Sequence, residues 1–205
     1  MGERIVYLLF TDTGTLLSKT INYFTKQQLN HVSISFDKEL KEVYSFGRKY
    51  ENNPFIGGFV REDTRGELLK KSECEIYTYQ LSEEEYQRIY YHVKVVEARK
   101  HAYKYNFIGL FCILIQLEWN RSNAFFCSQF IASLLNDIEH INFDKPDCFV
   151  RPADIRELNQ LKLIYKGRLG RYFSNEKPAA NQLVEQQQNV STFYLPRKLL
   201  RFVMK

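Results

Sequence analysis

The chain of 205 residues is long enough to form one domain with a well-buried core, whereas two domains would each be small. Hydrophobic residues make up 44% and aromatic residues 15%, a composition that excludes a disordered chain. The formal net charge of +5 is modest, and no apolar run reaches the roughly 18–20 residues that a transmembrane helix requires.

The positive charge is concentrated in the C-terminal quarter of the chain. Residues 151–205 contain eleven Lys and Arg against four Asp and Glu. Such a segment suits an anionic lipid surface, nucleic acid or an acidic partner, although a solvated basic surface is the commoner explanation. Of these partners, we do not expect nucleic acid.

The cysteine pattern and the N-terminus both indicate a reduced, cytoplasmic protein without a metal site. The chain contains four cysteines with no CxxC or other metal-ligand spacing: Cys74, Cys112, Cys127 and Cys148. The apolar run Ile5–Phe10 is too short for a signal-peptide core. Gly2 does not indicate myristoylation, because Val6 stands where that motif requires Ser or Thr.

The first third of the chain predicts strands joined by turns and one short helix. The predicted elements are a strand at Ile5–Phe10, a turn at Thr11–Thr15, a helix at Leu16–Thr25, a strand from His31 to Ser35, a turn at Asp37–Lys41 and a strand at Glu42–Gly47. The last two strands form a predicted hairpin. Asn52–Pro54 and Gly57–Gly58 then indicate an irregular connection.

The rest of the chain predicts more helix. The predicted elements are a strand at Glu73–Leu81, a helix from Ser82 to about Lys100, an apolar helix at Phe107–Leu117, a polar break at Asn120–Asn123, a helix from Cys127, a helix start at Pro152, and strands at Leu161–Tyr165 and Thr192–Leu195 around a flexible loop at Ser174–Asn189. Ser82 and Glu85 form a capping-box signature. The Phe107–Leu117 helix is either a buried core helix or a lipid-contacting wall.

Cys127 is the candidate nucleophile, because it stands at or near the first turn of its predicted helix. The N–H groups of a helix N-terminus stabilise a thiolate and can bind the oxyanion of a tetrahedral intermediate. Cys127 also lies on the apolar stripe of the same helix, so an inert core cysteine is the alternative interpretation.

His31 is the candidate general base, since its strand face is polar and lined by small residues that leave room for a nucleophile helix. The alternative is a structural histidine bonded to a carbonyl. A third group must orient the imidazole. An even register sum in the hairpin places Ser45 on the face of His31, whereas an odd sum places Glu42 there. Ser45 is favoured because Tyr44 and Phe46 then join the packed face.

Three segments of the chain resemble motifs of a known family. Asn30–Ser35 resembles a His-Val-x-Ile strand, Phe126–Ala132 resembles a Cys-Ser-Glu-Leu-Val helix, and Tyr105–Gly109 resembles a Tyr-Asp-x-x-Gly segment that precedes this helix. Their order is similar to that of the circularly permuted branch of the papain-like NlpC-type cysteine peptidase/amidase superfamily. This branch contains YiiX-like bacterial proteins and lecithin–retinol-acyltransferase-like enzymes. The resemblance spans roughly residues 5–170.

We expect one α+β domain over residues 1–205, with a papain-like core in which a small, mostly antiparallel sheet packs against the nucleophile-bearing helix and further helices surround it. The resemblance does not cover the C-terminal tail, and we expect residues 171–205 to be a basic, partly flexible extension. Carried over to this chain, Cys127 is the nucleophile and His31 the general base. The third position falls at or near Ser45, where relatives carry Glu, His, Asn or Gln.

Four residues beside these motifs are candidates for substrate binding: Asn30, Ser33, Ser128 and Gln129. Gln129 stands where relatives usually carry Glu.

The implied activity is that of a cysteine hydrolase, a peptidase or amidase that cleaves amide bonds of small peptides such as cell-wall fragments, and it needs no metal or organic cofactor. One alternative is a thioesterase, phospholipase or acyltransferase that contacts lipid through residues 107–117 and the basic tail. Another is a non-catalytic lipid- or peptide-binding module. The sequence does not define an oligomeric state.

Overall fold

A six-stranded antiparallel sheet forms the centre of the molecule. The computed structural model describes residues 3–14, 19, 22, 23, 28–50, 53–106 and 124–174. The strands of the sheet are β1 (Glu3–Asp12), β2 (His31–Ser35), β3 (Val43–Tyr50), β4 (Asn53–Arg61), β5 (Glu73–Ser82) and, nearer the C-terminus, Lys162–Arg168. A separate parallel pair consists of β6 (Lys104–Tyr105) and β7 (Ala124–Phe125), so the C-terminal strand is β8.

The strand order is β4-β3-β2-β1-β5-β8, and every neighbouring pair in this sheet is antiparallel. The predicted strands at Ile5–Phe10, His31–Ser35, Glu42–Gly47, Glu73–Leu81 and Leu161–Tyr165 are all present, within a few residues of their expected bounds. Thr11 pairs with His31 at the end of the sheet where β2 begins.

The predicted irregular connection after β3 is wrong, because most of that segment is strand β4. The glycines that suggested a loop serve a packing role instead. A Cβ atom at Gly57 would lie 2.7 Å from the Cβ of Tyr105, and one at Gly58 would lie 2.9 Å from the carbonyl oxygen of Tyr103. Only glycine lets the segment that leads into β6 lie this close to the sheet.

The helices with defined bounds in the described part of the chain are short except for one. They are α1 (Glu67–Lys70), α2 (Glu83–Ala98), α3 (Cys127–Leu135), α4 (Pro152–Arg156) and α5 (Leu169–Phe173), with a 3₁₀ turn at Asp147–Phe149. The predicted capping box is confirmed, since the Ser82 hydroxyl accepts from the Glu85 N–H and the Glu85 carboxylate accepts from the Ser82 N–H. Pro152 opens α4, as predicted.

The two faces of the sheet bury separate apolar clusters. Helices α2 and α3 pack on the face that carries Val32, Ile34, Tyr44 and Phe46. The opposite face is covered by a smaller cluster that includes residues of β8, α1 and α5. Because side chains alternate along a strand, Ser33 and Ser45 lie on this second face.

The described residues therefore form a mixed α+β structure with a mostly antiparallel sheet, as predicted. The predicted elements that lie mostly or wholly outside the described residues are the helices at Leu16–Thr25 and Phe107–Leu117, the break at Asn120–Asn123, the loop after Ser174 and the strand at Thr192–Leu195. Within the described part of the chain, no helix is both long and apolar enough to cross a membrane.

Candidate active site

Helix α3 brings Cys127 to the end of the sheet where β2 begins. Its Sγ lies 3.9 Å from the carbonyl oxygen of Asn30, although 97 positions separate the two residues in the chain. The Cys127 side chain is almost fully buried. The predicted placement of a helix-borne thiol beside the strand that carries His31 is thus found in the structure.

His31 contacts a carboxylate and lies near the thiol. Its Nε2 is 2.6 Å from Oε1 of Glu62. Cys127 is close enough for its sulfur to act on the charge of the imidazole. The His31 side chain is 19% exposed and that of Glu62 is 7% exposed, so the pair is largely shielded from water.

The sequence analysis missed Glu62, because it did not recognise β4. Val60 pairs with Ser45, and the Glu62 N–H continues the ladder by donating to the carbonyl oxygen of Val43 at 2.8 Å. Side chains two residues apart share a face, so Glu62 lies on the same face as Ser45. A strand prediction through residues 59–61 would have placed this carboxylate on the face of His31.

Ser45 occupies the predicted face but contacts the carboxylate more closely than the imidazole. Ile34 pairs with Tyr44, which is the even register sum that was expected. The Ser45 hydroxyl donates to Oε1 of Glu62 in a short hydrogen bond and lies 3.4 Å from Nε2 of His31. Ser33, a predicted substrate-binding residue, donates to Oε2 of Glu62 at 2.9 Å.

These contacts shift the pKa values of both charged groups. Burial disfavours the imidazolium, but the Glu62 carboxylate and the Cys127 sulfur outweigh it and raise the pKa of His31 to about 10. Burial also disfavours the Glu62 carboxylate, yet His31 and the two serine hydroxyls hold the pKa of Glu62 below its usual value. The pair is therefore ionised at neutral pH.

The N-terminus of α3 offers N–H groups beside the sulfur. The N-cap residue is Phe126, and no side chain caps this end. Ser, Thr, Asp or Asn at this position would accept a hydrogen bond from the first turn. An apolar N-cap leaves the N–H donors near Cys127 available to an oxyanion.

The other predicted substrate-binding residues have defined contacts. The Asn30 side-chain amide donates to Oδ1 of Asn22 at 2.8 Å. The Ser128 hydroxyl donates to the carbonyl oxygen of Val150 at 2.6 Å and thereby ties α3 to the segment before α4. Gln129 is buried, with 2% of its surface exposed. Neither Ser128 nor Gln129 presents its side chain to solvent.

Tyr105, from the third resembling segment, also lies near the nucleophile. Burial and the Cys127 sulfur raise the pKa of the Tyr105 phenol well above its usual value, and the charge of Arg48 lowers it. Tyr105 belongs to a segment that resembles a family motif. No role for Arg48 was predicted from the sequence.

The remaining described cysteines, Cys74 and Cys148, are buried and form no disulfide. Burial, with the nearby Glu73 and Glu75, raises the pKa of Cys74 to about 12. Cys112 lies outside the described residues. In the described ranges, no group of three or more His, Cys, Asp or Glu side chains is arranged to hold a metal ion.

Comparison with known proteins found no matching family model, no matching curated protein and no matching solved structure.

Proposed function

We propose that this protein is a cysteine hydrolase with a permuted papain-like fold, which transfers the acyl group of an amide or ester first to Cys127 and then to water. The observation that supports this function is the arrangement of Cys127, His31 and Glu62, in which the imidazole contacts a carboxylate and lies near a thiol held beside Asn30. This arrangement provides a nucleophile, a base and a group that orients the base.

In the first half-reaction, we assign the proton of the Cys127–His31 pair to the imidazole before substrate binds, and the Cys127 thiolate attacks the substrate carbonyl carbon. The carbonyl π electrons move to oxygen, and the backbone N–H at the start of α3 stabilises the resulting oxyanion. The intermediate then collapses to a thioester, and the departing amine or alcohol takes the proton from the His31 imidazolium. The raised pKa of His31 keeps this proton in place at neutral pH.

In the second half-reaction, His31 takes a proton from water, and the hydroxide oxygen attacks the thioester carbon. The tetrahedral intermediate then collapses with cleavage of the C–S bond, which releases the carboxylic acid and returns Cys127 as the thiolate beside the His31 imidazolium. In the free enzyme, the negative charge of the Cys127 sulfur helps to raise the pKa of His31. Acylation removes that charge and so lowers the pKa of His31 in the acyl-enzyme. More of the imidazole is then neutral, and a neutral imidazole can accept the proton of water.

We assign the orienting role to Glu62 rather than to Ser45. A carboxylate 2.6 Å from Nε2 fixes the ring orientation and stabilises the imidazolium, whereas a hydroxyl at 3.4 Å does neither well. Ser45 and Ser33 then hold the two carboxylate oxygens in place. This assignment supplies the strong orienting group that Ser45 alone would lack.

Small peptides remain the proposed substrates, on the strength of the family resemblance. The lipid-directed alternative depends on residues 107–117 and the basic tail, which lie outside the described residues. A serine as the only group at the third position would favour the non-catalytic alternative. The presence of Glu62 favours an enzyme.

The test is to trap the acyl-enzyme with p-nitrophenyl acetate, an activated ester. We expect a burst of p-nitrophenolate and one acetyl group on Cys127, detected by peptide mass spectrometry. Cys127→Ala should abolish both signals. Cys74→Ala is the matched control and should leave them intact, because the raised pKa keeps Cys74 protonated. Acetylation spread over several cysteines, or none, would exclude the proposed function.

A further inference from the structure

Arg48 is a half-buried cation three residues after Ser45. It belongs to β3 and follows Gly47, whose Cβ position would lie 3.5 Å from Cε1 of His31. Across the sheet, Arg48 pairs with Gly57, over which the Cβ of Tyr105 packs. Gly47 therefore lies next to His31, and Gly57 lies against Tyr105.

A second chain of contacts joins Arg48 to Cys127. Tyr105 pairs with Phe125 in the β6–β7 ladder, and Phe125 lies two residues before Cys127. Arg48 and Cys127 both act electrostatically on the Tyr105 phenol, so both groups lie near that side chain.

The guanidinium of Arg48 has no carboxylate partner among the described residues. Its hydrogen-bond contact is with the hydroxyl of Thr13, 3.4 Å from Nη2. Other arginines of the structure pair with acidic side chains, as Arg156 does with Glu75 and Arg168 does with Glu73. Among the described residues, the half-buried Arg48 guanidinium makes this one weak contact, so most of its donors are available to a ligand.

We propose that Arg48 forms an anion-binding subsite, and that the substrates of Cys127 carry a carboxylate close to the carbonyl that is attacked. This inference rests on the proposed function and adds a substrate class to it. The planar guanidinium matches a carboxylate in charge and can donate two parallel hydrogen bonds to it. Thr13, which accepts the hydrogen bond from Arg48, lies two positions after Thr11, the residue that pairs with His31.

The test compares two alkylating reagents that differ in charge. In both reactions the Cys127 sulfur forms a bond to the methylene carbon, and iodide leaves with the electron pair of the broken C–I bond. Iodoacetate carries a carboxylate next to that carbon, whereas iodoacetamide is neutral. The ratio of their rates at Cys127 cancels any general change in thiol reactivity and reports recognition of the anion.

We expect Arg48→Gln to lower the iodoacetate-to-iodoacetamide rate ratio at Cys127 by about tenfold, the effect of one close charge in a partly shielded site. Arg48→Lys should retain most of the preference, because it keeps the charge. Arg168→Gln is the matched control. It removes one positive charge at the opposite edge of the sheet, from a side chain that is 62% exposed, and should leave the ratio unchanged.

The outcomes separate this inference from the proposed function. An equal ratio in wild type and Arg48→Gln overturns the anion subsite, and the proposed function stands if iodoacetamide still modifies Cys127 in a manner that depends on His31. If Arg168→Gln lowers the ratio as much as Arg48→Gln does, net charge is the cause and the subsite is excluded. If Cys127 reacts with neither reagent, both proposals fail.

Discussion

Glu62 is the residue on which the chemistry of the site depends most and the one that the sequence did not reveal. His31, Cys127 and the face of Ser45 could be predicted, because alternation within one strand and helical spacing within one helix are local patterns. Glu62 follows a strand whose glycines and proline resembled a loop. Its approach to His31 depends on the pairing of β3 with β4, which the sequence alone did not indicate.

Replacing Glu62 by Gln should lower the pKa of His31 from about 10 toward its ordinary value of 6.5, since the carboxylate is the main group that raises it. We expect the rate of acyl-enzyme formation to fall by roughly 10²–10⁴, the range found when an orienting carboxylate is neutralised. NMR titration of the imidazole and p-nitrophenolate release measure the two effects. Ser45→Ala retains the carboxylate and should change the rate by less than about tenfold.

The raised pKa of His31 also links this site to stability. The stabilisation is fully present below pH 6.5, the unfolded value, and is lost as the pH rises through about 10. Between pH 6 and pH 10, the unfolding free energy of Glu62→Gln should fall less with rising pH than that of the wild-type protein. An identical pH dependence in the two proteins, together with an unshifted imidazole, would show that Glu62 does not stabilise the imidazolium.

At the scale of the elements, the position of α3 relative to β2 brings nucleophile and base together. The helix packs its apolar stripe on the sheet, and its first residue lies beside Asn30, just before β2 begins. The apolar spacing at residues 127–138 predicts which side of the helix is buried. It does not predict the position of the helix along the direction of the strand. Contacts such as the hydrogen bond from Ser128 to Val150 fix that position.

The packing of strand β6 against strand β4, next to the site, can be tested by substitution. Gly57→Ala should destabilise the protein by about 1–3 kcal/mol, because the new methyl group would lie 2.7 Å from the Cβ of Tyr105 and 2.8 Å from the carbonyl oxygen of Gly47. Chemical denaturation measures the loss. Gly47→Ala is the control, since its methyl group would meet no described atom closer than 3.5 Å. Equal stability of the two variants would show that β6 does not lie against Gly57.

At the scale of the whole molecule, the general α+β class could be predicted from the sequence. The spatial arrangement of the active-site residues could be predicted only in part. Regular alternation and a capping box define β1, β5 and α2 from local sequence. The active site instead joins residues from β2, from the segment after β4 and from α3, which are far apart in the chain. Their meeting depends on the strand order β4-β3-β2-β1, a property of the complete sheet.

The central claim is that Cys127 and His31 act as a pair, and the pH dependence of cysteine alkylation tests it most directly. Iodoacetamide labelling of each cysteine, measured by mass spectrometry in wild type and His31→Ala, compares Cys127 with the buried Cys74 and Cys148 in the same sample. We predict that Cys127 alone reacts rapidly at pH values well below the ordinary thiol pKa of about 8.5. We also predict that His31→Ala removes this reactivity. A Cys127 that reacts as slowly as Cys74, or that is indifferent to the loss of His31, would contradict the account.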